Sequence, residues 1–173
     1  MLIAGIEPGT NGAICVLDSH DPAYVALLDL KKNSASDIYE WLHIEISDNS
    51  KNVDYYLGKG KWHNPIGQIW IEDIHSMFGM SAKSNFSFGK NLGIVTAIAE
   101  LIIKDSPKTV TPKVWQKYIG VTAKGKAIKK QVAQIASGLY PKAELHGKRG
   151  GLLDGRSDAL MIAHYGLYNK EKV

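Results

Sequence analysis

Glu7, Glu72, Asp154 and Asp158 each close or open a stretch that is otherwise apolar, and a fold that buries those stretches must accommodate four acids. Glu7 ends the run Leu2-Ile3-Ala4-Gly5-Ile6 and Glu72 ends Ile69-Trp70-Ile71, while Asp154 and Asp158 stand four apart at the start of an apolar helix. Two carboxylates about 4 Å apart repel by about 4 kcal/mol at an effective dielectric near 20, so such a cluster normally carries a divalent cation. The pattern is that of a hard-metal site. Each acid also has a plainer reading. Glu7 could be a turn residue before Pro8-Gly9, Glu72 could face solvent with Asp73 as the ligand instead, and Asp154 could serve its helix N-terminus. Asp158, followed by Ala159-Leu160-Met161-Ile162-Ala163, leaves least room for one.

With 173 residues and 45% hydrophobic content, the chain suits one well-packed domain spanning 1–173. Its N-terminal apolar run is short, lacks a basic flank and meets Glu7. No signal peptide or membrane span is expected, and a cytoplasmic protein is. The single cysteine, Cys15, reads as a small core residue and not as a catalytic thiol. Net charge is +4, unevenly spread. From Lys113 to Arg149 nine basic residues face one acid, Glu144, giving +8 there and −4 elsewhere. A basic third beside an acidic pocket is what a nuclease needs, with lysines gathering phosphates around a carboxylate-held metal. A solvated lysine-rich helix face is the alternative.

Strand-like runs at Leu2–Ile6, Gly12–Leu17 and Tyr24–Leu30, joined by Pro/Gly/Asn/Asp turns, predict an antiparallel meander. A short helix capped by Ser34 or Ser36 follows, then a polar excursion from Ser47 to Asn64 and a strand over Gln68–Ile74. After a loop from Gly79 to Asn85, Phe88, Leu92, Val95, Ile98, Ala99 and Ile102 recur at helical spacing to about Lys104. Gly89 and Gly93 on that helix would allow close packing on the sheet or close approach of a partner. A strand at Lys108–Thr111, helices at Pro112–Tyr118 and Lys126–Leu139, a flexible basic loop at Lys142–Gly151 and a helix from Asp154 to about Tyr168 complete an α/β domain. Open α/β sheets place ligands at the carboxyl ends of their strands, where Glu7 and Glu72 fall. Asp154 and Asp158 point from one helix face toward the same place.

The segments GIEPGTNGAI (5–14), IED (71–73), GMSAKSNFSFGKNLG (79–93), KKQVAQIA (129–136) and DGRSDALMIAHYG (154–166) together resemble RuvC-type Holliday junction resolvases, particularly their phage branch. The resemblance spans nearly the whole chain, in order. It implies a ribonuclease H-like fold with a mixed five-stranded sheet flanked by helices. It also implies a homodimer, Mg²⁺ or Mn²⁺, and paired nicks at a four-way DNA junction in a bacterial or phage-infected cell. Glu7, Glu72, Asp154 and Asp158 match the family's metal ligands, with two departures. Glu7 stands where the family usually has Asp, one methylene shorter, so it is either a tolerated variant or a crippling one. The family's third ligand often lies three before the fourth, where this chain has Gly155; Asp154 takes over one step earlier.

The resemblance also implies DNA-binding residues. Met77 and Phe78, in the loop after the second ligand, would stack on bases at an opened junction, ordinary packing being the alternative. Lys83, Lys90, Lys113, Lys117, Lys124, Lys126 and Lys130 would contact phosphates. Lys130 matches a family basic position, whereas Lys117 lies near another that Trp115 occupies. Phe88, Leu92 and Val95 are the candidate dimer interface, core packing explaining them equally well. No separate general base stands out, with His75 and His146 as possible aids. Two other readings remain open: a junction binder whose metal site Glu7 disables, and, more weakly, an actin-like nucleotide-binding domain.

Overall fold

A computed structural model describes residues 1–48, 66–74 and 81–169. Strands β1 (Leu2–Glu7), β2 (Ala13–Asp18) and β3 (Val25–Asp29) form the expected antiparallel meander, with Ile3 opposite Leu17 and Gly5 opposite Cys15. Strand β4 (Ile66–Glu72) lies parallel on the other side of β1, and β5 (Lys108–Val110) lies parallel beyond it. The order β3-β2-β1-β4-β5 is the mixed five-stranded sheet anticipated from the sequence. Strands β1 and β2 are covered on both faces, so they read as unbroken apolar runs, whereas β3 at the edge is half-buried throughout.

Helices α1 (Ala35–Asp48) and α2 (Ala82–Ile103) cover one face of the sheet, packing Ile38, Leu42, Val95, Ile98, Ala99 and Ile102 against Ala4, Ile6, Ile14 and Val16. The other face carries α3 (Pro112–Tyr118), α4 (Ala127–Leu139) and α5 (Asp154–Tyr168), whose Trp115, Val132, Ala136 and Leu160 meet Ile3, Cys15 and Trp70. Gly5 lets α5 lie directly on the central strand, because a Cβ there would strike the helix backbone at Ala159 and Ala163.

Local chemistry sets the helix starts. The Ser34 hydroxyl accepts from the Asp37 amide at 3.2 Å while the Asp37 carboxylate accepts from the Ser34 amide at 2.7 Å, a reciprocal cap that chooses Ser34 over Ser36. Helix α2 begins three residues before the expected Asn85, because the Ser81 hydroxyl accepts from the Ser84 amide at 3.1 Å and caps it there. Ser47 and Asp48 still belong to α1, and the remainder of the expected Ser47–Asn64 excursion lies outside the described residues. The Lys142–Gly151 segment is folded, not an open loop. Leu145 is buried, His146 bridges Leu152, and the Gly147 amide donates to the Gly151 carbonyl at 2.8 Å.

Candidate active site

Side chains alternate along a strand, so Ile3, Gly5 and Glu7 on β1 share the face that α5 covers, as do Trp70 and Glu72 on β4. The parallel register pairs Ile6 with Ile71, which brings Glu7 and Glu72 abreast at the carboxyl end of the sheet. Asp158 precedes Ala159, whose backbone rests against Gly5, and so enters the same place from above.

These three carboxylates feel one another. Burial pushes Glu72 up to about 7, the charge of Glu7 adds to this, and a hydrogen bond from Trp115 and the charge of Lys129 oppose it. Asp158 is likewise pushed up to about 7, by burial first and then by the charges of Glu72 and Glu7, against Lys129. Burial also raises Glu7, opposed by Lys129 and by the Gly9 amide, which donates to Oε1 at 2.8 Å. Glu72 is the most enclosed, and its Oε1 accepts from the indole Nε1 of the fully buried Trp115 at 2.9 Å.

Asp154 is placed differently. At the first position of α5 it forms an ion pair with Lys129 of α4. The residue three before Asp158, Gly155, is buried against the β1–β2 turn, where a Cβ would collide with the Asn11 carbonyl. A side chain at 155 would require that turn to move.

Among the described residues, no three His, Cys, Asp or Glu side chains are drawn together closely enough to hold a metal ion as they stand. The donor chemistry nevertheless suits one. Glu7, Glu72 and Asp158 offer hard oxygens whose shared repulsion a divalent cation relieves, and magnesium and manganese both favour such ligands.

The surroundings keep the site in register. Asn91 of α2 donates from Nδ2 to the Gly9 carbonyl at 3.3 Å, tying that helix to the turn that carries Glu7. Gln131 Oε1 accepts from the Thr122 and Ala123 amides at 3.0 and 2.7 Å, holding the loop that bears Lys124 and Lys126. Arg156 grips both carboxylate oxygens of Asp29, at 2.7 and 3.0 Å, and donates to the Glu144 carbonyl at 2.8 Å, fastening the first turn of α5 to the sheet edge. Lys83, Lys90, Lys113, Lys117, Lys124, Lys126 and Lys130 are all exposed. Met77, Phe78 and His75 lie outside the described residues, and His146 sits in its bridge to Leu152.

The candidate dimer face needs correction. Val95 is in the core of its own subunit, and Phe88 and Leu92 are partly buried, so this is mainly the inward side of α2. The outward side presents Phe86, 75% exposed, and Leu101, 67% exposed, with open space above Gly89 and Gly93 between them. Periodicity marked an apolar stripe but could not say which of two stripes faced the sheet. Sequence reasoning did not single out Lys129 or Arg156 as site residues, and it named Trp115 only as standing at a family basic position. Lys129 was legible only as one of two adjacent lysines, and nothing local marks an indole as a carboxylate's partner.

No protein-family model matches the sequence, and no curated protein matches it. Among solved structures, Thermus thermophilus RuvC in complex with a Holliday junction substrate aligns over 98% of this chain and 95% of its own, with a TM-score of 0.56 and 19% identity. A second Thermus thermophilus RuvC structure aligns over 98% and 96%, with a TM-score of 0.56 and 16% identity. The fold is that of RuvC. The mixed five-stranded sheet flanked by helices is shared with these structures, and at such identity the likeness speaks for the fold alone.

The raised carboxyls have a consequence for stability. Each binds its proton more tightly folded than unfolded, so the stabilising contribution is complete below the ordinary value of 4.5 for Glu72 and is lost as pH rises through about 7. Without added metal, the protein should therefore gain about 1.5 kcal/mol from Glu72 between pH 7 and pH 5.5. Thermal melts of the parent and of Glu72→Gln isolate this gain, since the variant keeps an acceptor for Trp115 but cannot titrate. Parallel pH profiles for the two chains would refute it.

Proposed function

We propose that this chain is a divalent-metal-dependent endonuclease that resolves four-way and other branched DNA by paired phosphodiester cleavage, in the cytoplasm of a bacterial or phage-infected cell. The observation carrying this reading is the convergence of Glu7, Glu72 and Asp158 at the carboxyl end of a RuvC-like sheet, flanked by exposed lysines on helices of both faces. Those three carboxylates would hold Mg²⁺ or Mn²⁺. When bound, the cation supplies an activated water and stabilises the departing 3′-oxygen. Trp115 and the Gly9 amide fix two of the carboxylates in orientation. Lys83 and Lys90 on α2, and Lys113, Lys117, Lys124, Lys126 and Lys130 around α3 and α4, hold phosphates on either side.

The partner is a branched DNA whose two cut strands call for two active sites, hence a homodimer. Helix α2 suits that contact, because its outward side exposes Phe86 and Leu101, with open space above Gly89 and Gly93. By length and mean hydropathy, 1.4, the helix could cross a membrane, but Val95, Ile98, Ala99 and Ile102 seat it in the core. Sedimentation at micromolar concentration should show a dimer and Phe86→Asp a monomer; a monomeric parent chain removes the dimer from the proposal.

The activity is tested by incubating a labelled synthetic four-way junction and a linear duplex with the protein and Mg²⁺ or Mn²⁺, beside Glu7→Asp. Symmetric nicks in the junction alone support the reading. Binding without product from the parent chain, with cutting restored in Glu7→Asp, makes this a junction binder with a disabled site. Neither binding nor cutting by either chain ends the proposal.

A further inference from the structure

Lys148 and Arg149 stand at the tip of a short antiparallel ribbon that leads directly into α5. His146 bridges Leu152, and within that bridge the Gly147 amide donates to the Gly151 carbonyl at 2.8 Å while the Gly150 amide donates to the Gly147 carbonyl at 2.8 Å. Gly150 closes the turn at φ +77°, so Lys148-Arg149-Gly150 is a three-residue hairpin loop whose last position is left-handed and takes glycine. The base of the ribbon is equally fixed. Leu145 is buried in the core, its carbonyl accepts from the Leu153 amide at 2.9 Å, and the Glu144 carbonyl accepts from Arg156 at 2.8 Å. The backbone that carries the two cations is thus held by its own hydrogen bonds and by the first turn of α5, and the cationic side chains take no part in building it.

Those side chains are spare. Lys148 and Arg149 are exposed, and among the described residues neither side chain makes a hydrogen bond or an ion pair, whereas Lys129 and Arg156 are both taken up by aspartates. Glu144, the one acid between Lys142 and Leu153, lies at the base of the ribbon and not at its tip. Five residues lead from Arg149 to Asp154, so the tip stands at most about 18 Å from the start of α5, or about five base-pair steps of duplex DNA. Building on the nuclease reading above, we propose that this turn grips the sugar-phosphate backbone of a DNA arm beside the acids, adding two phosphate contacts to those of the lysines on α2, α3 and α4. A turn ordered before DNA arrives has little backbone freedom left to lose on binding, and two adjacent unpaired cations match the one ligand that presents a regular row of anions.

The test is the salt dependence of binding to a synthetic four-way junction, read by fluorescence anisotropy over a series of potassium chloride concentrations without divalent metal, so that nothing is cut. Each phosphate contact contributes about 0.9 to the slope of log affinity against log salt, so the double variant Lys148→Ala, Arg149→Ala should flatten that slope by about 1.8. Lys148→Arg with Arg149→Lys keeps both charges and should keep the parent slope. Lys104→Gly is the control for lost net charge. Lys104 ends α2 in the left-handed region that glycine also adopts, at the end of the sheet opposite the acids, and its loss should leave the slope unchanged. In the parent chain itself, the junction should protect Lys148 from acetylation and leave Lys104 reactive, a reading that needs no variant. A double-alanine slope equal to the parent's, an equal fall per charge in Lys104→Gly, or a Lys148 that stays reactive on the bound junction overturns the inference while leaving the nuclease reading intact. A parent chain that does not bind the junction overturns both.

Discussion

On the nuclease reading proposed above, Asp158→Asn should abolish junction cleavage, lowering the rate by at least about 10²- to 10³-fold, while leaving a folded protein that still binds the junction. Burial first, and then the charges of Glu72 and Glu7, push the Asp158 carboxyl up to about 7, so the fold gains nothing from its ionised form at neutral pH. The amide removes that repulsion with little change in volume. The expected signature is thus a split, with activity lost and melting temperature at pH 8 equal to or above that of the parent. A gel-shift assay, a cleavage time course and a melt on the same preparation make the comparison. Cleavage within tenfold of the parent would remove Asp158 from the machinery, and a lowered melting temperature would mean that its carboxylate is structural.

The second large effect concerns a residue with no functional group. Gly155→Ala ought to be favourable in a first helical turn on propensity, by about 1 kcal/mol. The structure gives the opposite sign, because the new methyl would meet the Asn11 backbone carbonyl, which cannot rotate away as a flexible side chain could. Overpacking of this kind costs about 1–3 kcal/mol, or about 2–10 °C in melting temperature for a chain of this size. Gly155→Asp, which places the acid at the spacing that the resemblance implies, should be worse still and, on the nuclease reading, should not improve cleavage. Thermal melts of the two variants test this directly. A stable and more active Gly155→Asp would show that α5 can shift on the β1–β2 turn, and that the close approach there does not govern where the carboxylate stands.

The effects of Gly155 and Asp158 are linked through α5. That helix lies on β1 because Gly5 and the alanines at 159 and 163 allow backbone to approach backbone, and this approach sets the depth at which Asp158 meets Glu7 and Glu72. Arg156, between them, fastens the same turn to Asp29 at the edge of the sheet. The small residues around the acids are therefore part of the site's construction.

Much of this was legible in the chain. The unbroken apolar runs at Leu2–Ile6 and Ile69–Ile71 identified strands covered on both faces, and each ended in the acid that the sheet then carried to its carboxyl edge. Period-two alternation required Glu7 and Glu72 to share a face with their apolar neighbours two residues before, and helical spacing in Asp158–Ala163 required a buried helix. Such features are local, since a strand or helix repeats its geometry every few residues and the pattern of burial repeats with it. What the sequence could not determine was everything that depends on distance across elements. Whether α2 turns Val95 or Phe86 toward the sheet, which lysine of the 129–130 pair reaches the acids, and that Trp115 would donate to Glu72 all depend on how the layers settle against one another. The same holds for Asp154 and Asp158, equivalent by spacing yet unequal in place. Asp158 feels the charges of Glu72 and Glu7 whereas Asp154 meets Lys129, contacts between residues far apart in the chain that exist only once the helix has packed onto the sheet.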